Sequence, residues 1–362
     1  MNVCEKILSN ERISFEEATG LLKDADLLTL ANLANHKRFQ LNPDPVVSFV
    51  VDRNINYTNV CTSKCKFCAF YKDKDHPDAY VISEEDLKKK IEETIELGGT
   101  QILLQGGMHP DLDLDYYLDL ISFIKENFKI HIHGFSPPEI AFIAEKSSMS
   151  IKAVLEKFIT AGLDSIPGGG AEILVDEIRQ KLSPNKCSAS IWLEVMKTAH
   201  ESGLKTTATM MFGHIERPED IVSHLIKIRD LQDQTRGFTA FIPWTFQPLN
   251  TRVNVIKATS HYYLKILALS RIVLDNFQNL QASWVTQGEK IAQLSLSFGA
   301  NDFGSTMIEE NVVAAAGVKF RLDMKKIIWL IQQSGNKAVQ RNCFYKKLKE
   351  FRGQNSKDLE IE

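Results

Sequence analysis

The stretch that decides the fold is Asn59-Val60-Cys61-Thr62-Ser63-Lys64-Cys65-Lys66-Phe67-Cys68-Ala69-Phe70-Tyr71. It holds three of the six cysteines in the spacing C-x3-C-x2-C, and no fourth cysteine or histidine stands at ligand spacing. A structural zinc site closes with four protein ligands, and a ferredoxin-type 4Fe–4S cluster takes four cysteines. Three thiolates on one short loop therefore favour a 4Fe–4S cluster whose fourth iron is open to another ligand. Three unrelated core cysteines, or a zinc site that borrows a distant histidine, are the alternatives.

This loop resembles that of the radical S-adenosylmethionine (SAM) superfamily, which has the same spacing and an aromatic residue before the third cysteine. The resemblance implies that Cys61, Cys65 and Cys68 bind a 4Fe–4S cluster and that SAM is the second cofactor. It also implies that Phe67 packs against the cluster and the adenine of SAM.

Length and composition are those of an ordinary globular chain. There are 362 residues, of which 44% are hydrophobic and 25% charged, which suits one large α/β barrel or two average domains. A net charge of −3 argues against nucleic-acid binding. The N-terminus lacks the apolar core of a signal peptide, and no apolar run is long enough to span a membrane. Six cysteines in a chain of this length do not form a disulfide framework, so we expect a cytoplasmic protein with reduced thiols.

Strand-like and helix-like segments alternate regularly along the chain. Among them are strands at 55–60 and 280–285, and a helix that begins after Ser83 and ends at Gly98. Such units predict a parallel sheet with right-handed crossovers. About eight strands between 55 and 301 indicate an α/β fold of the (β/α)8 type, and a partial six-stranded barrel is the alternative. We predict four parts: an N-terminal helical extension (1–45), the barrel core (46–285), a barrel-closing and C-terminal segment with further helices (286–352) and a disordered tail (353–362).

Glycine-rich and capping motifs stand at the predicted C-terminal ends of strands, where barrel enzymes hold their active sites. Gly106 and Gly107 follow one strand, and the superfamily resemblance implies backbone contacts to SAM there. The family's acid is replaced by Met108, so only the backbone role carries over. Ser136 is explained as a helix cap, and its contact with the cofactor is an additional hypothesis. Glu172 follows three glycines and is predicted to contact the ribose of SAM or the substrate. The alternative for Gly106 and Gly107 is a tight turn, and the alternative for Glu172 is a flexible loop with a solvated side chain.

Histidines and aromatic residues at other strand ends are candidate pocket residues. His133 and His214 are, with Glu172, the candidate catalytic bases. His109, Trp244 and Gln247 are the candidate substrate contacts. Packing roles are the alternative for each histidine and for Trp244. The remaining cysteines belong to no motif, and we assign them no role.

Several stretches resemble one branch of the superfamily, the enzymes of menaquinone and deazaflavin biosynthesis. These stretches are 56–61, 68–71, 105–110, 170–173, 241–248 and 304–311. The last two are most similar to the cyclase members of the branch, whose substrate is dehypoxanthine futalosine. Aminofutalosine synthase and a deazaflavin synthase subunit are the alternatives within the branch. An iron–sulfur electron carrier is the alternative outside it, although carriers saturate their iron with protein ligands.

The resemblance to the cyclases implies a reaction and its partners. A 5′-deoxyadenosyl radical would take the C4′ hydrogen of the substrate ribose, and the carbon radical would close a ring on the benzoate. A low-potential electron donor such as flavodoxin or ferredoxin would reduce the cluster. The cofactors supply the reactive species, and the protein supplies orientation and exclusion of water.

Overall fold

Helices and strands alternate along residues 2–351, the part of the chain that this computed structural model describes. The helices are α1 (Val3–Leu8), α2 (Phe15–Asp24), α3 (Leu27–Leu41), α4 (Glu84–Glu96), α5 (Leu114–Asn127), α6 (Pro137–Lys146), α7 (Ile151–Ala161), α8 (Asp176–Leu182), α9 (Ala189–Glu201), α10 (Pro218–Thr235), α11 (Ser260–Val273), α12 (Trp284–Gln287), α13 (Glu289–Ser295), α14 (Val312–Ala315) and α15 (Met324–Gln333). The strands are β1 (Val46–Val50), β2 (Asp52–Asn56), β3 (Gln101–Gln105), β4 (His131–Gly134), β5 (Ser165–Ile166), β6 (Lys205–Phe212), β7 (Phe238–Thr245), β8 (Asn279–Leu280), β9 (Asp302–Ser305), β10 (Lys337–Arg341) and β11 (Lys347–Phe351). The predicted tail 353–362 lies outside the described residues.

The strands form a curled barrel. Seven parallel strands pair in the order β2-β3-β4-β5-β6-β7-β8. A bridge from Gln281 to Asp302 continues this sheet to β9, which pairs in parallel with β1, and β1 leads directly into β2. The ring therefore closes through the first strand of the chain. This confirms the predicted α/β barrel and not the six-stranded alternative.

Local sequence signals set the helix ends. Ser83 caps α4 by accepting a hydrogen bond from the backbone N–H of Asp86, and Gly98, just beyond that helix, has φ +82°. Gly162 ends α7 with φ +114°, a backbone conformation that glycine adopts without steric cost. Each of these turns returns the chain to the next parallel strand, so short polar signals determine the length of each strand–helix unit.

The predicted N-terminal helical extension packs on the outside of the barrel. Helix α3 packs against α11, and α2 packs against α10 and α11. Arg12 joins the extension to these helices through ion pairs of 2.5 Å to Asp233 and 2.8 Å to Asp275. The predicted domain boundaries remain a prediction from the sequence.

The C-terminal end of the described chain forms a hairpin that the sequence did not predict. Strand β10 pairs in parallel with β1 and antiparallel with β11. Its turn, residues 342–346, lies beside the N-terminal ends of the barrel strands, where Cys343 contacts Ser165. The hairpin therefore forms part of the barrel floor.

Two strand predictions were wrong in their bounds. The strand expected at 55–60 is β2, which begins at Asp52, and residues 57–60 form the approach to the cysteine loop. The strand expected at 280–285 ends at Leu280, because the backbone N–H of Ser283 is bonded to the Tyr263 hydroxyl and α12 begins at Trp284. Within residues 2–351, no helix combines the length and the apolar character that crossing a membrane requires.

Candidate active site

The cysteine loop follows β2 at the C-terminal end of the barrel. Its backbone is tied to neighbouring loops at several points. The N–H of Thr62 donates to the carbonyl of Met108 at 3.0 Å, and the N–H of Lys66 donates to the carbonyl of Leu182 at 2.8 Å. These bonds hold the loop against the β3 and α8 connections, so the three cysteines are positioned by the barrel itself.

The environment of the three thiols suits an iron–sulfur cluster. All three are free cysteines; Cys65 is buried, and Cys61 and Cys68 are half-buried. The N–H of Met108 lies 3.4 Å from the Cys61 sulfur, and the Ser63 hydroxyl lies 3.2 Å from the Cys65 sulfur. N–H and O–H groups that face thiolates stabilise the charge of a bound cluster. The residues present therefore fit this cofactor.

Protons must leave these thiols when metal binds. Burial raises the pKa of Cys65 to about 11 and also raises the pKa of Cys68, while the nearby Lys186 ammonium opposes both shifts. Cluster ligands bind as thiolates, so assembly releases protons into a site that already holds the half-buried Lys186 cation.

The spacing of the thiols argues against a single zinc ion. Among the described residues, the three-residue group whose ligand atoms all lie within 4.8 Å of one another consists of His131, His133 and Cys343, at the barrel floor. The three loop cysteines do not meet that distance. A cubane spreads its ligands more widely than one ion does, so the geometry favours the cluster over the zinc alternative.

Gly106 and Gly107 let the end of β3 press against the cysteine loop. A Cβ at Gly107 would lie 2.1 Å from the Val60 carbonyl oxygen and 2.8 Å from the Cys61 Cβ. A Cβ at Gly106 would lie 2.5 Å from the Tyr57 ring. No other residue fits either position without a shift of backbone or ring. The glycines therefore shape the loop, and their contact with SAM remains a prediction.

Glu139 joins this region to the next strand end. One of its oxygens accepts bonds from the Tyr57 hydroxyl at 2.6 Å and from the Gly106 N–H at 3.0 Å. The other accepts bonds from the N–H of Ser136 at 2.8 Å and from its hydroxyl at 2.5 Å. Burial raises the pKa of Glu139, although these hydrogen bonds oppose the shift. Ser136 has the predicted capping role, and a cofactor contact remains a prediction.

Glu172 lies beside the cysteine loop in an ion pair. Its Oε1 is 2.6 Å from the Nζ of Lys186, which stands 5.1 Å from the centre of the Phe67 ring. Burial alone would raise the pKa of Glu172, but the Lys186 and Arg179 charges lower it. Glu172 has φ +41°, an uncommon conformation for a residue with a side chain. Such strained positions concentrate at functional sites.

A cavity of about 280 Å³ occupies the barrel interior. Its lining residues are Val50, Asp52, Asn54, Gln101, Leu103, Gln105, His133, Pro167, Gly169, Gly170, Thr207, Thr209, Ile242, Trp244, Gln281, Ala282, Ser283, Trp284, Val285, Thr286, Ser305, Met307, Glu310, Val312, Val313, Arg341, Cys343 and Tyr345. Many stand two apart on their strands, because alternate side chains of a barrel strand face inward. Gln105 and Gly169 lie at the end nearest the cysteine loop, since Gln105 precedes Gly106 and Gly107.

Two buried amide oxygens of this cavity have no hydrogen-bond partner among the described residues. They are Asn54 Oδ1 and Gln101 Oε1, on residues that are 5% and 4% exposed. An unpaired buried acceptor costs about 1–3 kcal/mol. A ligand with hydroxyl or N–H donors would satisfy both groups.

The five remaining predicted residues fall into two groups, those that line the cavity and those that do not. Trp244 and His133 line the cavity, whereas His109, Gln247 and His214 are not among its lining residues. His214 is engaged on both ring nitrogens, with Nε2 3.1 Å from the Met211 carbonyl and Nδ1 2.7 Å from the Ile215 N–H.

The other two residues also make local bonds. Gln247 donates to the carbonyl of Thr245 at 3.0 Å, and the Nδ1 of His109 accepts from the Asp111 N–H at 3.1 Å. The roles of all five remain predictions. The polar interior positions of β2, β3 and β6 were not predicted from the sequence, although their period of two was a usable signal.

Comparison with known families covers most of the chain. The sequence model of the radical SAM superfamily matches residues 55–228, and that of the CofH/MqnC C-terminal region matches residues 235–353. The first match contains the cysteine loop, and the second contains more than half of the residues that line the cavity.

Full-length relatives are similar over nearly the whole chain. The cyclic dehypoxanthine futalosine synthase of Halalkalibacterium halodurans is 47% identical over 96% of this chain and 95% of that protein. The Streptomyces coelicolor protein of the same name is 41% identical over 96% and 88%. The 5-amino-6-(D-ribitylamino)uracil–L-tyrosine 4-hydroxyphenyl transferase of Methanopyrus kandleri is 40% identical over 84% and 85%.

Solved structures share the fold. The hydrogenase maturase HydG has a TM-score of 0.71 at 16% identity, covering 94% of this chain and 74% of that one. Methylornithine synthase has a TM-score of 0.68 at 18% identity, covering 93% and 97%. Taken with the full-length relatives and the cysteine loop, these findings show that the chain belongs to the radical SAM superfamily of enzymes. Its cofactors are those of the superfamily, a 4Fe–4S cluster and SAM, and Cys61, Cys65 and Cys68 are the residues that would hold the cluster.

Proposed function

We propose that this protein converts dehypoxanthine futalosine to cyclic dehypoxanthine futalosine, a step of menaquinone biosynthesis. The observation that carries the proposal is the 47% identity to a synthase of that name over 95% of its length. The region that matches the CofH/MqnC C-terminal model supplies more than half of the cavity lining, so the similarity includes the residues that would contact a substrate.

The interior of the barrel suits a substrate that joins a sugar to an aromatic acid. When bound, the cluster and SAM supply the 5′-deoxyadenosyl radical that takes the C4′ hydrogen. Asn54 and Gln101 offer unpaired oxygens to donor groups of a substrate that reaches down the cavity, and Trp244 and Trp284 offer apolar surface for an aromatic ring. Enclosure by the barrel would keep water from a reactive carbon radical.

The three candidate bases differ in their surroundings. His133 is the candidate on the cavity wall, but burial lowers its pKa to about 3, which makes it a weak base at neutral pH. Glu172 is ionised beside Lys186 near the cofactor end. His214 makes local hydrogen bonds through both ring nitrogens.

The proposed reaction predicts a specific transfer of hydrogen. With dehypoxanthine futalosine, SAM and a low-potential reductant, the reconstituted enzyme should form a cyclised product that lacks two hydrogens of the substrate. Substrate deuterated at C4′ should deliver its label to 5′-deoxyadenosine, which mass spectrometry detects. Unlabelled 5′-deoxyadenosine formed together with cyclised product would contradict C4′ abstraction.

The transferase relatives support a second candidate function. At 40% identity, the Methanopyrus kandleri protein joins a tyrosine-derived group to an aminouracil, according to its name. Consumption of tyrosine and the ribityl aminouracil, with no turnover of dehypoxanthine futalosine, would favour that activity. Addition of the adenosyl radical to an enolpyruvyl benzoate would identify an aminofutalosine synthase instead.

Glu172→Gln should lower turnover at least about tenfold. The change keeps the size of the side chain but removes the charge that pairs with Lys186, and a charge-assisted hydrogen bond contributes about 1.5–3 kcal/mol. Single-turnover formation of 5′-deoxyadenosine is the measurement. Glu177→Gln is the matched control, because Glu177 is an exposed acid that also pairs with a lysine, Lys181, at 2.7 Å. Equal rates in both variants would assign Glu172 to loop structure alone.

An acidic, low-potential electron donor such as flavodoxin or ferredoxin fits the surface around the cluster loop. Lys66 and Arg252 are exposed there, and the N–H of Arg252 donates to the Lys66 carbonyl at 2.8 Å. Lys64 is also exposed and pairs with Asp73 at 2.5 Å. Positive charges at the rim speed encounter with an acidic partner. Such donors are cytoplasmic, which is the location we propose for this enzyme.

A further inference from the structure

We propose that His131, His133 and Cys343 form a second metal site, one that takes Zn²⁺ and fastens the C-terminal hairpin to the barrel floor. The Nδ1 or Nε2 atoms of the two histidines and the Sγ of Cys343 all lie within 4.8 Å of one another. The inference is independent of the substrate proposed above. It replaces the proton-accepting role that the sequence suggested for His133.

The site lies at the opposite end of the barrel from the cysteine loop. Parallel register places His131 level with Gln101, which is itself level with Asp52, at the beginning of the strands. Cys61 lies beyond the other end of β2. Cys343 reaches the floor from the hairpin turn, so an ion here would join two parts of the chain about 200 residues apart.

Both imidazole rings are oriented as metal ligands usually are. The Nε2 of His131 and the Nδ1 of His133 face a common point, at 2.6 Å and 2.7 Å from the Ser165 hydroxyl. The remaining nitrogens face outer acceptors: His131 Nδ1 is 4.0 Å from an Asp164 oxygen, and His133 Nε2 is 3.5 Å from the Thr207 hydroxyl. Ser165 has one hydroxyl proton, so in the metal-free form at least one inner nitrogen carries an N–H. Metal binding would move that proton to the outer nitrogen of the same ring, on the side of the Asp164 carboxylate or the Thr207 hydroxyl.

Protonation at neutral pH also suits metal binding. Burial lowers the pKa of His131 to about 4 and that of His133 to about 3, so both rings are neutral and keep a lone pair. Burial raises the pKa of Cys343 to about 11. A divalent ion would take the place of the thiol proton, since zinc deprotonates a coordinating thiol outright.

Two imidazoles and a thiolate are the donor set that zinc prefers. Zinc bonds of about 2.0–2.3 Å in a tetrahedron place the ligand atoms about 3.5 Å apart. The three ligand atoms, which lie within 4.8 Å of one another, must therefore move closer together when the ion binds. The Ser165 hydroxyl contacts all three ligand atoms and is 3.4 Å from the Cys343 sulfur, so a bound ion would displace it from this point or take it as the fourth ligand.

A hydrogen-bond cluster around Ser165 is the competing explanation, and Cys343→Ser separates the two. Serine has nearly the same shape as cysteine and preserves hydrogen bonds to Ser165, but it is a poor ligand for zinc. A hydrogen-bond role therefore predicts little change in this variant, whereas a metal role predicts loss of the ion. His131→Gln provides a second, independent removal of one ligand.

The test uses cluster-loaded enzyme, in which Cys61, Cys65 and Cys68 are occupied. The wild type, Cys343→Ser, His131→Gln and the control Cys187→Ala are each incubated with Zn²⁺, desalted and analysed for zinc. We expect about one zinc per chain in the wild type and the control, and about tenfold less in the two ligand variants. Zinc should raise the Tm of the wild type and leave that of Cys343→Ser unchanged.

X-ray absorption at the zinc edge identifies the ligands without interference from iron. One sulfur at about 2.3 Å with nitrogen or oxygen neighbours at about 2.0–2.1 Å supports the site. Three sulfur neighbours would place the zinc on the cluster loop, and none would mark surface binding. Either of those results, or equal zinc in the wild type and Cys343→Ser, overturns the proposal.

Discussion

Cys61→Ala, Cys65→Ala and Cys68→Ala should each abolish reductive cleavage of SAM. Each change removes one of three protein ligands from a cluster that already leaves one iron open, so the cluster is lost or displaced. The wild type should bind about four irons after anaerobic reconstitution. Each variant should lose most of this iron and form no 5′-deoxyadenosine, measured by iron analysis and chromatography of the reaction mixture.

Cys4→Ala and Cys187→Ala are matched controls for loss of a thiol. Both residues are half-buried free cysteines, and neither belongs to the loop. They should keep normal iron content and normal rates of SAM cleavage. Wild-type activity in any of the three loop variants would refute the ligand assignment, because no other described cysteine lies in the loop to replace the missing thiolate.

The predictable part of this protein is the part that short sequence patterns control. The cysteine spacing identifies the cluster loop, and the alternation of apolar runs with capped helices identifies a barrel. Ser83 and Gly98, for example, mark the two ends of α4 as expected. Such signals act within one or two turns of chain, so they can be recognised without tertiary context.

The hairpin β10–β11 was not predicted, because the contacts that stabilise it are made with residues far away in the sequence. Strand β10 pairs with β1, almost 300 residues earlier, and β11 has the sequence Lys-Leu-Lys-Glu-Phe, in which charge suits an edge strand more than a core one. The site at the floor was missed for the same reason. His131 and Cys343 have no recognisable spacing, and only the folded hairpin brings them together.

Polar residues on a buried strand obscured where that strand begins. The strand predicted from residue 55 begins at Asp52 and includes Asn54. In the structure their side chains face the cavity, where Asp52 is held by Gln101 at 2.8 Å. A barrel with a ligand in its interior requires polar groups on inward positions, and this requirement overrides the usual composition of a buried strand.

Arg341→Met should destabilise the protein by about 3–5 kcal/mol. Arg341 binds Asp302 through two bonds, from Nε at 2.6 Å and from Nη2 at 2.9 Å, and the two side chains are 5% and 0% exposed. The Asp302 charge raises the pKa of Arg341 although burial opposes this. Methionine fills much of the same space but leaves a buried carboxylate without its partner. We expect the Tm of the holoenzyme to fall by about 4–7 °C.

Two further variants distinguish the effect of an unpaired buried carboxylate from the effect of losing any arginine. Arg12→Met removes an arginine that is 42% exposed and pairs with both Asp233 and Asp275, and exposed pairs contribute only about 0–1 kcal/mol each. Asp302→Asn combined with Arg341→Met removes the orphaned charge and should recover part of the lost Tm, because an amide costs less to bury than a carboxylate. If Arg341→Met lowers the Tm no more than Arg12→Met does, the pair does not hold the hairpin to the barrel. If it lowers the Tm as predicted, the floor contributes to the stability of the entire barrel, because Asp302 lies on the strand that closes the ring between β8 and β1.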